Sequence, residues 1–216
     1  MCEVPGSHPA YCDTWLPDNL LGGSRADGSS TISQGGERLG GRFFGQSSFA
    51  RAAIADERSV VKIHTQLPLE LVAPLACGVQ TGAGAVWNVI QSSPGTSLVV
   101  FGAGTVGLAA IMAAALTPAI VIFAVDRVTS RLELALELGA THVIDASAVA
   151  DVGEEIRSIT GGGAHAAIEA TGNTKVLEQA IGATRARGHI VVIGAPAFGA
   201  TAAVDVSRIS NFLELA

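Results

Sequence analysis

The segment Gly102-Ala103-Gly104-Thr105-Val106-Gly107 has the residue types and the spacing of a phosphate-binding turn. It directly follows the apolar run 98–101 and opens a second apolar segment that is typical of a helix. In this setting the first glycine allows a tight turn, the second lets the backbone approach a pyrophosphate, and the third lets the helix pack closely on the strand. Free N–H groups at the helix N-terminus then bind the phosphates. The motif therefore predicts a dinucleotide site.

Asp126 is the second feature with a clear chemical use. It ends the next apolar run, about 20 residues after the glycine turn, where a carboxylate accepts hydrogen bonds from both adenosine ribose hydroxyls. The same carboxylate repels a 2′-phosphate, so we expect NAD rather than NADP. The neighbouring Arg127, in contrast, would favour the 2′-phosphate of NADP. The alternatives are a packing turn followed by a solvated aspartate, and a mononucleotide or flavin site.

The remaining candidate side chains are scattered. The three cysteines, Cys2, Cys12 and Cys77, are too few and too far apart for a disulfide framework, which indicates a reducing cytoplasmic environment. The five histidines, at positions 8, 64, 142, 165 and 189, have no partner at metal-ligand spacing. Taken alone, Cys77 is therefore expected to be a buried core thiol.

The composition narrows the class of partner. With a formal net charge of −6, the chain has no basic footprint for nucleic acid or for an anionic membrane surface. A hydrophobic fraction of 49% predicts a globular protein with a large core. Residues 71–125 contain no charged side chain, as in a membrane span, but prolines and glycines divide them into short elements. We therefore expect a small-molecule partner, no nucleic acid and no membrane.

Strands and helices alternate after residue 96. The apolar patterns predict strands at 97–101, 120–125, 142–144, 166–171 and 189–193, with helices at 105–116, 129–138, 152–159 and 174–184. Such alternation requires parallel strands, right-handed crossovers and helices on both faces. The predicted fold class is α/β, a doubly wound parallel (Rossmann) sheet. A short strand is predicted at 202–206, and the usual sixth strand is expected to be absent or replaced.

The first part of the chain lacks the regular alternation of apolar strands and helices. Glycine pairs interrupt residues 1–58, which favours short strands and loops with too few apolar residues to fold alone. A strand at 60–63, a short helix at 68–73 and a longer helix at 78–90 follow. We predict a mostly β segment at 1–65, a nucleotide-binding domain at 66–206 and a divergent tail at 207–216.

Further segments resemble the zinc-dependent medium-chain alcohol dehydrogenases, and among them the aryl- or benzyl-alcohol dehydrogenase branch. The sequence Ser-His-Pro-Ala-Tyr-Cys at 7–12 is similar to the end of the family's structural-zinc loop. Residues 43–50 resemble a core strand of its catalytic domain, and residues 76–82 resemble the segment with the last catalytic-zinc ligand. The resemblance covers roughly residues 7–206 and implies that residues 1–65 are a partial, GroES-like catalytic segment.

The resemblance implies an NAD-dependent oxidoreductase that transfers hydride between NAD and a primary aromatic alcohol or aldehyde. In the family, zinc binds the alcohol oxygen and lowers its pKa. Cys77 would be a ligand of this catalytic zinc, and Cys12 a ligand of the structural zinc. Together with the glycine turn, the resemblance assigns cofactor binding to Thr81, Gly102, Gly104, Thr105, Val106, Gly107, Asp126, Arg131, Thr171, Ile193 and Ala195.

The resemblance also predicts that the zinc site is incomplete. In the family the other catalytic ligands precede the structural-zinc loop, and this sequence begins inside that loop. Two functions therefore stay open: an alcohol dehydrogenase of which this is an incomplete copy, and a non-catalytic NAD-binding module. A zinc-free relative of the quinone reductases is disfavoured by Cys77 and the residues after it. Family members are homo-oligomers through the last strand of the nucleotide domain, and an incomplete strand here would leave an unpaired edge.

Overall fold

The computed structural model describes residues 16, 19–20, 24–25, 27–30, 32–41, 44, 51–53, 55, 57, 60–64, 66–205 and 213–215. The chain forms two compact units, residues 1–66 and 67–216. In the first unit, β1 (Ile32–Gln34) and β2 (Glu37–Leu39) form an antiparallel hairpin. Gly35 and Gly36 join them with φ values of 60° and 88°, the left-handed backbone that a two-residue hairpin turn requires. The assignment of this unit to a catalytic domain stays a prediction.

The second unit is built on a six-stranded parallel sheet. Its strands are β3 (Ser97–Phe101), β4 (Val121–Asp126), β5 (His142–Asp145), β6 (Ala164–Glu169), β7 (Thr184–Val192) and β8 (Leu213–Leu215). Their order in the sheet is β5-β4-β3-β6-β7-β8, so the winding direction reverses between β3 and β6. Ligands bind at such a switch point, outside the carboxyl ends of the strands. The predicted doubly wound α/β fold is confirmed.

Helices cover both faces of this sheet. They are α1 (Leu69–Val72), which continues as a 3-10 turn (Ala73–Ala76), α2 (Gly78–Gly84), which continues as a π-helical segment (Ala85–Ile90), α3 (Thr105–Ala115), α4 (Thr129–Glu137), α5 (Val152–Thr160) and α6 (Thr174–Ala183). Among the described residues no single helix is long and apolar enough to span a membrane. The bent pair Leu69–Ala76 and Gly78–Ile90, with 54° between its parts, passes that test jointly by length and composition.

Two cores lie on opposite faces of the sheet. Along β3, Leu98 and Val100 pack into the core formed with α2, α3 and α4, whereas Val99 and Phe101 pack into the core formed with α5 and α6. Successive side chains of a strand point to opposite faces, so a strand covered on both sides must be apolar throughout. This is why β3, within the uncharged run 71–125, is apolar on both faces.

The predicted strand at 60–63 is wrong. These residues have no regular structure, and Val61 is 88% exposed. A run of β-branched residues becomes a strand only where another strand pairs with it. Here no pairing of this segment exists among the described residues.

The end of the sheet also differs from expectation. Residues 202–205 are not a strand, because the backbone N–H of Ala203 donates to Glu178 Oε1 on α6 at 2.9 Å instead of to a neighbouring strand. Val206 lies outside the described residues. A sixth strand does exist, since β8 pairs with β7 in parallel and Gly188 lies opposite Leu213. The expectation of a missing sixth strand is therefore wrong.

His165, at the amino end of β6, makes folding stability sensitive to pH. Its Nδ1 lies 2.8 Å from Ser97 Oγ, and its Nε2 lies 2.7 Å from the Arg185 guanidinium. Partial burial, and then the Arg185 charge, lower the pKa of His165 below its usual value. The unfolded chain therefore takes up a proton at a higher pH than the folded one. Stability should be complete above about pH 6.5 and should fall as the pH drops below it.

Urea unfolding between pH 5 and pH 8 checks this expectation. His165→Gln should flatten the acid side of the stability profile, whereas His64→Gln, at an exposed position, should leave it unchanged. Because His165 is itself exposed, we expect a small effect. Parallel profiles for the His165→Gln variant and the unaltered chain would show that this histidine does not contribute.

A candidate dinucleotide-binding site

Gly102 makes the tight turn between β3 and α3. Its φ of 95° lies in the left-handed region that favours glycine, and its N–H donates to Val125 O at 2.8 Å. A Cβ at this position would lie 2.8 Å from Thr171 Cγ2. Both the backbone conformation and the lack of space therefore require glycine.

Gly107 makes the close contact between α3 and the turn. A Cβ here would lie 1.7 Å from the Gly102 carbonyl oxygen and 3.2 Å from Val100 Cγ1. No side chain can occupy that space without moving backbone. The backbone of α3 at Gly107 therefore lies in direct contact with the backbone of the turn at Gly102.

Gly104 is the N-cap of α3 and lies in open space, with no atom within 4 Å of the position of a Cβ. The first turn of α3 has no side-chain cap and no acidic residue. By contrast, Asp151 caps α5 and Asn173 caps α6, each with a 2.9 Å hydrogen bond from a backbone N–H. Uncapped N–H groups at a helix N-terminus attract anions. The first turn of α3 is therefore available to a phosphate.

Asp126 is held in a fixed position at the end of β4. Its Oδ2 accepts a 2.7 Å hydrogen bond from Ala103 N, and its Oδ1 accepts from Arg127 N at 2.7 Å and from Val128 N at 3.0 Å. Arg131 Nη1 lies 3.8 Å from Oδ2. The side chain is 10% exposed, so the carboxylate reaches solvent at its edge. Asp126 thus connects the glycine turn to the start of α4.

A cleft of about 640 Å³ opens at the carboxyl ends of the strands, where the winding reverses. It is lined by Phe101, Gly102, Gly104, Val125, Asp126, Arg127, Val128, Arg131, Ala146, Ser147, Ala170, Thr171, Val176 and Gln179. Five of the predicted cofactor residues are among them, at positions 102, 104, 126, 131 and 171. The structure therefore brings the glycine turn and the predicted ribose carboxylate to one cleft.

Several residues that line the cleft carry no signal in the sequence. Ser147 follows β5, whereas Val176 and Gln179 lie on α6. These residues belong to no motif. The available signal was topological, because loops that follow parallel strands meet at the same edge of the sheet.

The other predicted cofactor residues do not line the cleft. Thr105 and Val106 form the first turn of α3, against which α2 packs: a Cβ on Gly82 would lie 2.0 Å from Val106 O. Thr81 is on this packed helix, and its N–H donates to Cys77 O at 3.0 Å. Ile193 directly follows β7, and its N–H donates to Glu169 O at 2.9 Å. The roles of these residues in binding stay predictions.

Cys77 is exposed, between the 3-10 turn and α2, so the expectation of a buried core thiol is wrong. It sits at the junction where the chain changes from one short helix to the next, which keeps its side chain at the surface. Within the part of the chain that the structure describes, no three His, Cys, Asp or Glu side chains are grouped closely enough to hold a metal ion. Cys12 lies outside that part. The described donors therefore do not fit a zinc ion.

Comparison with known proteins gives a consistent result. Residues 105–214 match the protein family described as zinc-binding dehydrogenase. The geraniol dehydrogenase of Castellaniella defragrans is 42% identical over 190 residues, which are 88% of this chain and 51% of that protein. This chain spans about half the length of the curated relatives it matches.

Two solved structures are similar over nearly the whole chain. An alcohol dehydrogenase zinc-binding domain protein from Burkholderia ambifaria is 48% identical with a TM-score of 0.88, covering 98% of this chain and 57% of that one. The benzyl alcohol dehydrogenase of Acinetobacter calcoaceticus is 42% identical with a TM-score of 0.86, covering 96% of this chain and 56% of that one.

Proposed function

Because this chain belongs to the zinc-binding dehydrogenases, of the medium-chain alcohol dehydrogenase type, we propose that it binds NAD in the cleft at the carboxyl edge of its parallel sheet. One observation carries the proposal. The uncapped first turn of α3, with open space at Gly104, borders the same cleft as the fixed carboxylate of Asp126. A pyrophosphate needs the first feature and a ribose needs the second.

Different residues would bind the different parts of the cofactor. N–H groups of the first turn of α3, at 104–107, would hold the pyrophosphate, and Asp126 with Arg131 would hold the adenosine ribose. Thr81, Val106, Thr171, Ile193 and Ala195 would surround the nicotinamide half. When bound, NAD accepts a hydride from the carbon of an alcohol. We assign this role to a nucleotide-binding domain at residues 66–206, with residues 1–65 as part of a catalytic domain.

We propose a primary, aromatic alcohol or its aldehyde as the substrate. The similarity to a benzyl alcohol dehydrogenase supports an aromatic substrate. The similarity to a geraniol dehydrogenase supports a primary alcohol, since geraniol has no aromatic ring. Cys77 is proposed as one zinc ligand, but the described residues supply no complete donor set, so we derive no step through a metal. The scarcity of cysteines supports a cytoplasmic location. A homo-oligomer, as in the family, is proposed to form at the β8 edge.

A second function is kept as the alternative: a chain that binds NAD but does not turn over an alcohol. Its motivation is the exposed Cys77, which within the described residues belongs to no group of three potential metal ligands. Metal analysis together with benzyl alcohol oxidation at alkaline pH separates the two functions. About one tightly bound zinc per chain with NADH production supports the dehydrogenase. NADH binding without zinc and without turnover supports the binding module.

The NAD proposal is tested by fluorescence titration with NADH. The unaltered chain should change the NADH emission on binding. In Gly104→Ala the new methyl meets no protein atom within 4 Å, so the fold should be kept, but it occupies the space through which a pyrophosphate approaches. We expect affinity to fall about tenfold or more, roughly 1.4 kcal/mol.

Gly84→Ala is the matched control, because a Cβ there would make only an ordinary 3.5 Å contact with Asn88 Nδ2, and Gly84 does not line the cleft. It should bind NADH like the unaltered chain. No emission change with the unaltered chain, and the same result with Gly104→Ala, would remove the proposal.

A further inference from the structure

Glu169 is a buried carboxylate that the proposed NAD site does not use directly. It ends β6 and is only 1% exposed. Among the residues that the structure describes, no basic side chain forms an ion pair with it. A buried carboxylate without a cation is unfavourable unless hydrogen bonds replace its lost hydration. The donors around Glu169 therefore reveal what holds it there.

The donors come from the turn that directly follows β6. Glu169 Oε1 accepts hydrogen bonds from Thr171 N at 2.7 Å and from Gly172 N at 3.1 Å, and it also bonds the Thr171 hydroxyl. Oε2 has only the longer 3.3 Å contact with Gly172 N. A carboxylate that accepts several backbone N–H groups of one turn fixes the conformation of that turn.

The Glu169 backbone holds a second segment. Its carbonyl oxygen accepts from Ile193 N and from Gly194 N, both at 2.9 Å. A Cβ on Gly194 would lie 2.1 Å from Gly172 N and 2.5 Å from Glu169 Oε2, so this segment packs closely against the turn at Gly194. One residue therefore joins the loop after β6 to the loop after β7.

These loops reach the glycine turn. A Cβ on Gly102 would lie 2.8 Å from the Thr171 methyl, and a Cβ on Gly172 would lie 2.6 Å from Ala195 O. Through Glu169, Thr171, which lines the cleft, and the segment 193–195 are connected to the turn that would hold the pyrophosphate.

We propose that Glu169 is a positioning residue for the nicotinamide half of the cofactor, an assignment that rests on the proposed NAD function. It would act through its neighbours, by fixing Thr171 and the segment 193–195. A dinucleotide lies across the switch point with one half on each side. Asp126, on β4, is on one side of β3, and Glu169, on β6, is on the other. Disturbing Glu169 should therefore weaken one half of the binding site selectively.

The test compares NADH with ADP-ribose, which has the adenosine and pyrophosphate groups but no nicotinamide. Glu169→Gln retains the shape of the side chain and removes its charge, so the remaining carbonyl oxygen accepts more weakly from Thr171 N and Gly172 N. The NH₂ group at the other position removes the acceptor of the longer Gly172 N contact. We expect its dissociation constant for NADH to rise about tenfold and that for ADP-ribose to change less than about threefold. Glu137→Gln, at an exposed position on α4, should change neither.

A second variant keeps the proposal testable if Glu169→Gln folds poorly. Thr171→Val removes the hydroxyl that bonds Oε1 and retains the side-chain shape, and it should give the same selectivity with a smaller rise. Equal weakening of both ligands, or no weakening, would overturn the assignment while the unaltered chain still binds NADH. If the unaltered chain binds neither ligand, the proposed function and this assignment both fall.

Discussion

Gly107→Ala is expected to destabilise the nucleotide-binding unit by about 3 kcal/mol or more, the upper range for overpacking. The new Cβ would lie 1.7 Å from the Gly102 carbonyl oxygen, and no rotamer change can relieve a contact between two backbone-fixed atoms. Either α3 moves away from β3 or the turn opens. For a unit of this size the midpoint Tm should fall by roughly 10 °C. NADH binding should be lost with it.

Thermal unfolding followed by circular dichroism measures this effect. Gly104→Ala is the matched comparison, because both variants add one methyl group to the same motif, one in open space and the other against backbone. Gly104→Ala should melt close to the unaltered chain and lose affinity, whereas Gly107→Ala should lose stability first. Equal melting temperatures for the two variants would contradict the packing role of Gly107.

Asp126→Ala is expected to lower NADH affinity roughly 10- to 100-fold, since hydrogen bonds to a charged group contribute about 1.5–3 kcal/mol each. The variant would lose the proposed acceptor for the ribose hydroxyls. It also loses the 2.7 Å bond from Ala103 N, which holds the glycine turn. Removing the carboxylate ends its repulsion of a 2′-phosphate, while Arg127 and Arg131 stay at the cleft. NADPH should therefore weaken much less than NADH, or bind more tightly.

Titrations with both coenzymes measure this change in preference. Asp145→Ala is the control, since Asp145 ends the neighbouring strand β5 and bonds Ser147 without lining the cleft. It should leave the ratio of the two affinities unchanged. An Asp126→Ala variant that loses NADH and NADPH equally would show that the carboxylate does not contact the ribose.

The strands and helices between residues 97 and 192 follow closely from the sequence. Strand β3, for example, occupies 97–101 as predicted, because an apolar run that ends in a glycine turn has few alternatives. The predictions of strands failed where the pairing with a neighbouring strand decides whether a segment becomes a strand. Val60 to Ile63 include strand-forming side chains but have no partner strand among the described residues, and Ala203 N bonds Glu178 instead of a neighbouring strand.

Some residues of the candidate site could likewise be predicted from the sequence, and others could not. Gly102, Gly104 and Asp126 were found from the sequence because each has a local backbone requirement or a local position at the end of a strand. Ser147, Gln179 and Glu169 carry no such signature. Glutamate is common at surfaces, so only its 1% exposure and its bonds to Thr171 and Gly172 distinguish Glu169.

The sequence by itself determined the alternation of strands and helices, the glycine turn and the carboxylate that follows it, since these depend on the periodicity of side chains and on local backbone conformation. Only the tertiary structure decided which loops share the cleft, that Cys77 is exposed, that β8 completes the sheet, and that Glu169 joins two loops. These features depend on contacts between segments far apart in the chain. Such contacts are set by strand order and packing, and local sequence does not encode them one residue at a time.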